Sequence, residues 1–405
     1  MVLTGRGVVS PLGVGLDRHW EGIGAERSAV GSVTRLAALG LGTSRGTVVA
    51  PEAIQPHLGR LPRKQQKLYN RTTLLAMLAA VLAMEDAGLA AGAGDPERFG
   101  VVLGVNVLAW DLGAMTEYLG AAESASSPGA LDMALANAFC MRSINPLDFS
   151  LKTLPNLAAG HLAIAQEARG FCRAITDGPV GGLRAVGDAW RLVAEGDLDA
   201  ALAGGADAPL EELVFAMYEG AGILASDDAS RPGQVLGEGG GLVVLEEAER
   251  ARARGARVHG EVVGFAAGAG EGRIATEDDA ERRGRGLARV IEAALAEAGA
   301  RPDLVALHAD GLPAHDAAEE RGLALALGAG AGAGAIPRLA CKRLHGDLGA
   351  ASGPVEMLAC SAALADARLP GAAAEGTAPR HALVLSLGLF GEAVALVLRG
   401  PGGSA

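Results

Sequence analysis

The side chains able to do covalent chemistry are few in this chain. Its four cysteines, Cys140, Cys172, Cys341 and Cys360, stand far apart, with no Cys-x-x-Cys pair. A reactive thiol needs help from its surroundings, most simply a strand-to-helix elbow whose helix N-terminus favours thiolate. Cys172 precedes the strand-like run Arg173–Thr176 with no glycine elbow directly behind it, so it reads as a small buried apolar side chain. No set of histidines and cysteines has zinc-like spacing, and no metal is expected. Two glycine runs invite a nucleotide reading and fail it. Residues 328–335 alternate glycine and alanine, but they follow a helical pattern and lead into Ile336-Pro337-Arg338. A dinucleotide fingerprint needs its glycines between strand and helix, with an acid about 20 residues on. Gly237-Glu238-Gly239-Gly240-Gly241 lacks the Lys-Ser/Thr of a phosphate loop and reads as a turn entering a strand. No cofactor is expected.

The elements that position these residues are those of an α/β protein. Short apolar runs, Val101–Leu103, Ala200–Ala203, Gly241–Leu245, Val258–Phe265, Leu304–His308, Leu383–Leu387 and Ala393–Leu398, read as strands between longer helical patterns. In Thr72–Ala87, Leu74, Leu75, Met77, Leu78, Val81 and Leu82 recur at helical spacing. The charged stretch Ala248–Gly255 precedes a fresh strand and divides the chain into residues 1–248 and 249–405. With 405 residues, half of them hydrophobic, 60 glycines and only 3% aromatics, the core must be packed from small and aliphatic side chains.

A formal charge of −12 argues against a nucleic-acid binder. One local exception is the run holding Arg60, Arg63, Lys64, Lys67 and Arg71, a solvated helix face or a docking patch for an acidic carrier protein. No signal peptide and no stretch of about 18 apolar residues is evident, and a cytoplasmic protein away from the membrane is expected.

Five segments in order then resemble the β-ketoacyl synthase family. They are Leu3-Thr4-Gly5-Arg6-Gly7-Val8-Val9-Ser10-Pro11-Leu12-Gly13, the helix holding Asn156, Gly160 and Ile164, Ala203-Gly204-Gly205-Ala206-Asp207, Gly237-Glu238-Gly239, and Leu387-Gly388-Leu389-Phe390-Gly391. The resemblance implies a thiolase-like α/β fold, two similar βαβ halves stacked in five αβαβα layers. It also implies a Cys-His-His site in an active member. This sequence departs from that set. Registering Ala185-Val186-Gly187-Asp188-Ala189 on the family pattern puts Pro179 at the nucleophile position, where it supplies no nucleophile and no N–H. His308 falls at the first histidine, with Asp316 and Glu319 at its acidic positions, but the usual Gly-Thr-x-Thr has become Ala309-Asp310-Gly311-Leu312. Lys342 falls at the family's lysine and Asp347 where the second histidine belongs, with His345 two residues too early. Decarboxylation of a malonyl thioester develops enolate charge that two imidazole donors stabilise, and a carboxylate at Asp347 would repel it.

Gly181-Gly182-Leu183-Arg184-Ala185-Val186-Gly187 resembles the family's degenerate partner subunits, the chain length factors of type II polyketide synthases. These more often carry glutamine at the nucleophile position, so Pro179 leaves aromatic and highly reducing (polyene) systems both open. The resemblance implies a subunit without catalytic residues of its own. It would form a heterodimer with a catalytic ketosynthase, receive intermediates on an acyl carrier protein, and close one side of the partner's acyl tunnel. The matching stretch, residues 106–118, places Ala109, Leu112 and Thr116 on one helix face, a tunnel wall or ordinary packing. The competing reading is a stand-alone thiolase-fold acyltransferase or decarboxylase with an unrecognised nucleophile.

Overall fold

A computed structural model describes residues 1–106, 112–144, 152–269, 280–328, 336–366 and 379–402. Its main sheet is built from two runs of five strands. The first run is β1 (Val2–Ser10), β2 (Phe99–Gly104), β3 (Cys172–Ile175), β4 (Ala200–Asp207) and β5 (Gly239–Glu246). The second is β6 (Gly260–Ala269), β7 (Leu304–Ala306), β8 (Arg338–Leu339), β9 (His381–Leu387) and β10 (Glu392–Arg399). Spatial order is β8-β7-β9-β10-β6-β1-β5-β4-β2-β3, with the short strand Gly13–Val14 set against β1. From the centre outward, both runs read first, fifth, fourth, second, third. Pairing sense repeats as well: β5 is antiparallel to β1 and β4, and β10 to β6 and β9, while the outer pairs are parallel. Two pairings, Val2 with Glu261 and Leu3 with Gly260, join the halves.

Two helices, α5 (Gly181–Ala194) and α8 (Ser352–Ala365), pack against strands of both halves and form the middle layer. Their apolar side chains, among them Leu183, Val186, Val355 and Met357, share one core with Val243, Val384 and Leu396. On the outer face of the first half, α1 (Arg71–Ala87) and α4 (Pro155–Ala165) cover a second core. On the outer face of the second, α6 (Ala280–Ala298) and α7 (Pro313–Leu327) cover a third. The result is the five-layer thiolase-like arrangement.

Local chemistry explains most boundaries. Helix α1 starts where the Asn70 side chain accepts from the Thr73 amide at 2.8 Å and stops at Gly88 in the left-handed region. It buries a broad face: Leu75, Met77 and Leu78 are fully buried together with Ala76, Ala79, Ala80 and Ala83, while Leu74, Val81 and Leu82 are half-buried. The reason lies in β1. A Cβ on Gly7 would sit 1.9 Å from the Ala79 carbonyl oxygen, and one on Gly5 2.1 Å from that of Ala83. Glycine facing alanine lets backbone approach backbone, so the alanines of the helix are buried along with its large residues.

One expectation changes. Cys172, expected to be buried, is exposed as the first residue of the edge strand β3. The helix expected over residues 106–118 is described from Leu112 to Ala122 as α2. Ala109 and residues 329–335 lie outside the described residues. Among the described residues, no helix is long and apolar enough to cross a membrane.

Candidate functional site

The strand-to-helix elbow runs from β3 through Thr176 and Asp177 into a tight turn, Gly178–Val180, and then α5. Gly178 has φ +59°. Pro179 is buried, and its carbonyl accepts from Ser386 Oγ of β9 at 3.1 Å. The second half repeats the device. Gly349–Ala351 forms the same kind of turn at the start of α8, and the two turns pack together. This approach depends on glycine, since a Cβ on Gly182 would lie 1.9 Å from the Ala350 carbonyl oxygen and one on Gly205 2.1 Å from it. Two helix N-termini therefore converge on one buried spot, an arrangement that favours negative charge.

Carboxylates supply that charge. Asp347 Oδ1 accepts from the Gly349 amide at 2.8 Å and from Ser352 Oγ at 3.0 Å, which makes it a cap for the turn and for α8. Its Oδ2 is buried without a hydrogen-bond partner among the described residues. Asp207, at the end of β4, accepts from the Ala350 amide at 3.1 Å, the Ala208 amide at 2.9 Å and Asn106 Nδ2. Burial pushes its carboxyl up to about 6 despite those donors, and the Asp347 charge adds to the rise.

The loop after β7 carries the histidine. His308 is buried; its amide donates to Glu319 Oε1 at 2.6 Å, and the next amide, of Ala309, to Glu319 Oε2 at 3.0 Å. Ala309 has φ +37°, a strained conformation for a residue with a Cβ, and the Glu319 clamp holds it there. Burial raises Glu319 to about 7. His308 Nε2 faces Asp310 Oδ2 at 3.2 Å. Burial first, and the Lys342 charge second, lower the His308 pKa, so the ring is neutral at pH 7. Asp316 is half-buried, raised by desolvation and held by the Gly311 backbone. Lys342 is buried and donates to Glu356 Oε1 at 2.6 Å. His345 is also fully buried; its Nδ1 lies 2.7 Å from the Gly346 carbonyl oxygen and its ring beside that of His19, 5.6 Å between centroids.

The fold thus gathers His308, Glu319, Lys342 and Asp347 into a connected set of buried ionisable groups around the elbow, with Asp316 at its margin. It does not bring Cys172 into that set. Leu112 and Thr116 lie on the surface helix α2, Leu112 half-buried and Thr116 exposed, its Oγ1 donating to the Leu112 carbonyl at 2.8 Å. Sequence reading missed Asp207, Asp310, His315 and Arg283. Asp310 stood in plain view as an acid two residues after His308. The others become visible only once α6, α7 and β4 are folded around the loop.

His308, Asp310 and His315 offer ligand atoms all within 4.8 Å of one another, a grouping that sequence spacing did not flag. Hydrogen bonds account for it without a cation: Asp310 Oδ2 also receives His315 Nδ1 at 2.7 Å and Gln234 Nε2 at 2.6 Å, and Arg283 Nη1 lies 3.0 Å from His315 Nε2.

Strand order, the paired elbows and the buried loops facing them define a ketosynthase-type protein of thiolase-like fold. Comparisons agree. The model of the β-ketoacyl synthase N-terminal domain matches residues 1–251, and that of the C-terminal domain residues 259–374. A 3-oxoacyl-[acyl-carrier-protein] synthase 2 from Synechocystis is 31% identical over 388 residues, covering 91% of this chain and 86% of that protein. Among solved structures, the ishigamide ketosynthase/chain length factor superposes with a TM-score of 0.79 at 25% identity, over 99% of each chain. A type II polyketide synthase ketosynthase, solved with its acyl carrier protein and bound to a hexaketide, gives 0.79 at 25% identity over 98% of each. The chain belongs to the β-ketoacyl synthase family.

Proposed function

We propose that this chain is the non-catalytic, chain-length-factor-like subunit of a type II polyketide synthase, paired in the cytoplasm with a cysteine-bearing ketosynthase, and that residues 1–248 and 249–405 are its two halves. The observation that carries this reading is the elbow itself. Its buried residue is Pro179, with no nucleophilic atom, and the loop facing it presents the Asp347 carboxylate. An unpaired carboxylate oxygen in a dry site opposes an enolate, so neither condensation nor decarboxylation is supported there.

Pairing is supported by the surface around α2 and α3 (Met133–Ser143). Leu119, Met133, Leu135 and Met141 are exposed there, Met141 by 84%. Separately, the edge strand β3 leaves Phe171 and Cys172 uncovered. Apolar area and an unpaired strand edge on that scale call for a protein partner. In such a pair Ala109, Leu112 and Thr116 would face the partner's acyl tunnel. Native mass spectrometry of the tagged chain from its producing cell tests the reading. A 1:1 complex with a ketosynthase, condensing malonyl units only as the pair, is the expected result. A homodimer that turns over malonyl thioesters alone would overturn it in favour of an unrecognised nucleophile.

A further inference from the structure

We propose that Asp310 locks His308 in a single tautomer, with its N–H spent on the Asp310 carboxylate, so that the imidazole has no proton left to donate. The argument starts three groups away. Arg283 is buried on α6, and its guanidinium has only donors. Its Nη1 lies 3.0 Å from His315 Nε2, so that nitrogen carries the lone pair and His315 Nδ1 carries the hydrogen. His315 Nδ1 therefore donates to Asp310 Oδ2 at 2.7 Å. The same oxygen receives Gln234 Nε2 at 2.6 Å, and Asp310 Oδ1 receives the Leu312 amide at 3.0 Å. A carboxylate surrounded by donors stays ionised, and an ionised carboxylate only accepts. His308 Nε2, 3.2 Å from Asp310 Oδ2, must then be the protonated nitrogen of a neutral ring. Its other nitrogen, Nδ1, is buried without a hydrogen-bond partner among the described residues.

The chain Arg283, His315, Asp310, His308 thus fixes ring polarity from a helix outside the loop. It reaches further, because Arg283 Nη2 also donates to the Leu389 carbonyl at 2.9 Å, in the turn between β9 and β10. Asp310 is a positioning residue in this scheme, acting through His308. The lock also explains why a metal does not fit. A cation on His315 Nδ1 would move the ring proton to Nε2, where it would meet the Arg283 donor.

This inference deepens the proposed non-catalytic role, since it disables the one retained histidine, but the tautomer is a property of the chain whether it sits in a heterodimer or not. The test is nitrogen NMR of the full chain labelled with 15N-histidine, in whatever assembly it is purified, with His308→Gln used to assign the ring. The lock predicts a His308 ring protonated at Nε2 and bare at Nδ1. It also predicts that Asp310→Thr shifts both nitrogens toward an averaged mixture. A wild-type ring protonated at Nδ1 overturns it, even if the variant does not fold. Ring signals unmoved by Asp310→Thr, or ligand-field bands on titration with Co2+ that His315→Gln abolishes, would overturn it too. The 1:1 complex of the preceding test can stand or fall independently of each of these results.

Discussion

Asp347 shows how a position changes trade. In the register proposed above it stands where an active member would have a proton-bearing imidazole, and the turn at Gly349 and Ser352 uses it as a cap. The proposal for that position, and for Pro179, rests on residue type alone, because chemistry that needs a thiol or an N–H fails without one. The Arg283 to His308 chain could not, since its members come from α6, the loop and α7 and meet only in three dimensions. His345 offers a test of burial at this scale. Desolvation pushes it down to about 4 while its ring stays hydrogen-bonded to Gly346. In the unfolded chain it titrates near 6.5, so as pH falls from 6.5 toward 4 the unfolded state takes up a proton that the folded state refuses. Stability held above pH 6.5 is lost across that window. His345→Gln removes the effect, so the stability advantage of wild type over variant should shrink by roughly 3 kcal/mol between pH 7 and pH 4, measured by urea unfolding. An unchanged gap would mean that the ring is solvated.

At the scale of elements, the strands named from sequence are present, most of them lengthened by a few residues and Leu304–His308 shortened to Leu304–Ala306. The apolar-run signal is strong where both sheet faces are buried. Pattern reading named Leu75, Met77 and Leu78 of the buried face of α1 but not its alanines, because it weighs side-chain size and cannot see that β1 presents glycines. The same physics gives a paired prediction. Gly182→Ala at the start of α5 meets the Ala350 carbonyl at 1.9 Å and should cost about 2 kcal/mol or more, since backbone cannot easily yield there. Gly160→Ala in α4 meets nothing closer than a Leu157 methyl at 4.0 Å and should stabilise by roughly 0.5–1 kcal/mol through helix propensity. Equal denaturant midpoints for the two variants would refute the close contact between the elbows.

At the scale of the molecule, the twofold repeat of strand order was legible only through family resemblance; the charge distribution was legible directly. Of the basic run, Arg71 is committed to Glu238, its Nε donating at 3.0 Å, and Arg60 pairs with Glu85 at 3.0 Å. Arg63, Lys64 and Lys67 remain exposed on a chain of net charge −12. If the carrier protein docks on this subunit, the triple variant Arg63→Glu, Lys64→Glu, Lys67→Glu should weaken its binding at least about tenfold at low salt, with the subunit pair intact. Unchanged affinity in a calorimetric titration would place docking elsewhere on the pair.

The strand order also sets a timetable for synthesis. In each half the last strand made, β5 or β10, is inserted between the first and the fourth, and all eight residues of β5 are buried. β1 leaves the ribosome first, yet its partner β5 begins only at Gly239. At about 5–20 residues per second, an apolar strand waits on the order of 10 to 50 seconds without its neighbour. Such non-local closure folds slowly and exposes sticky surface meanwhile. Chaperone supply during translation should therefore govern the yield of this chain more than the final stability of its fold.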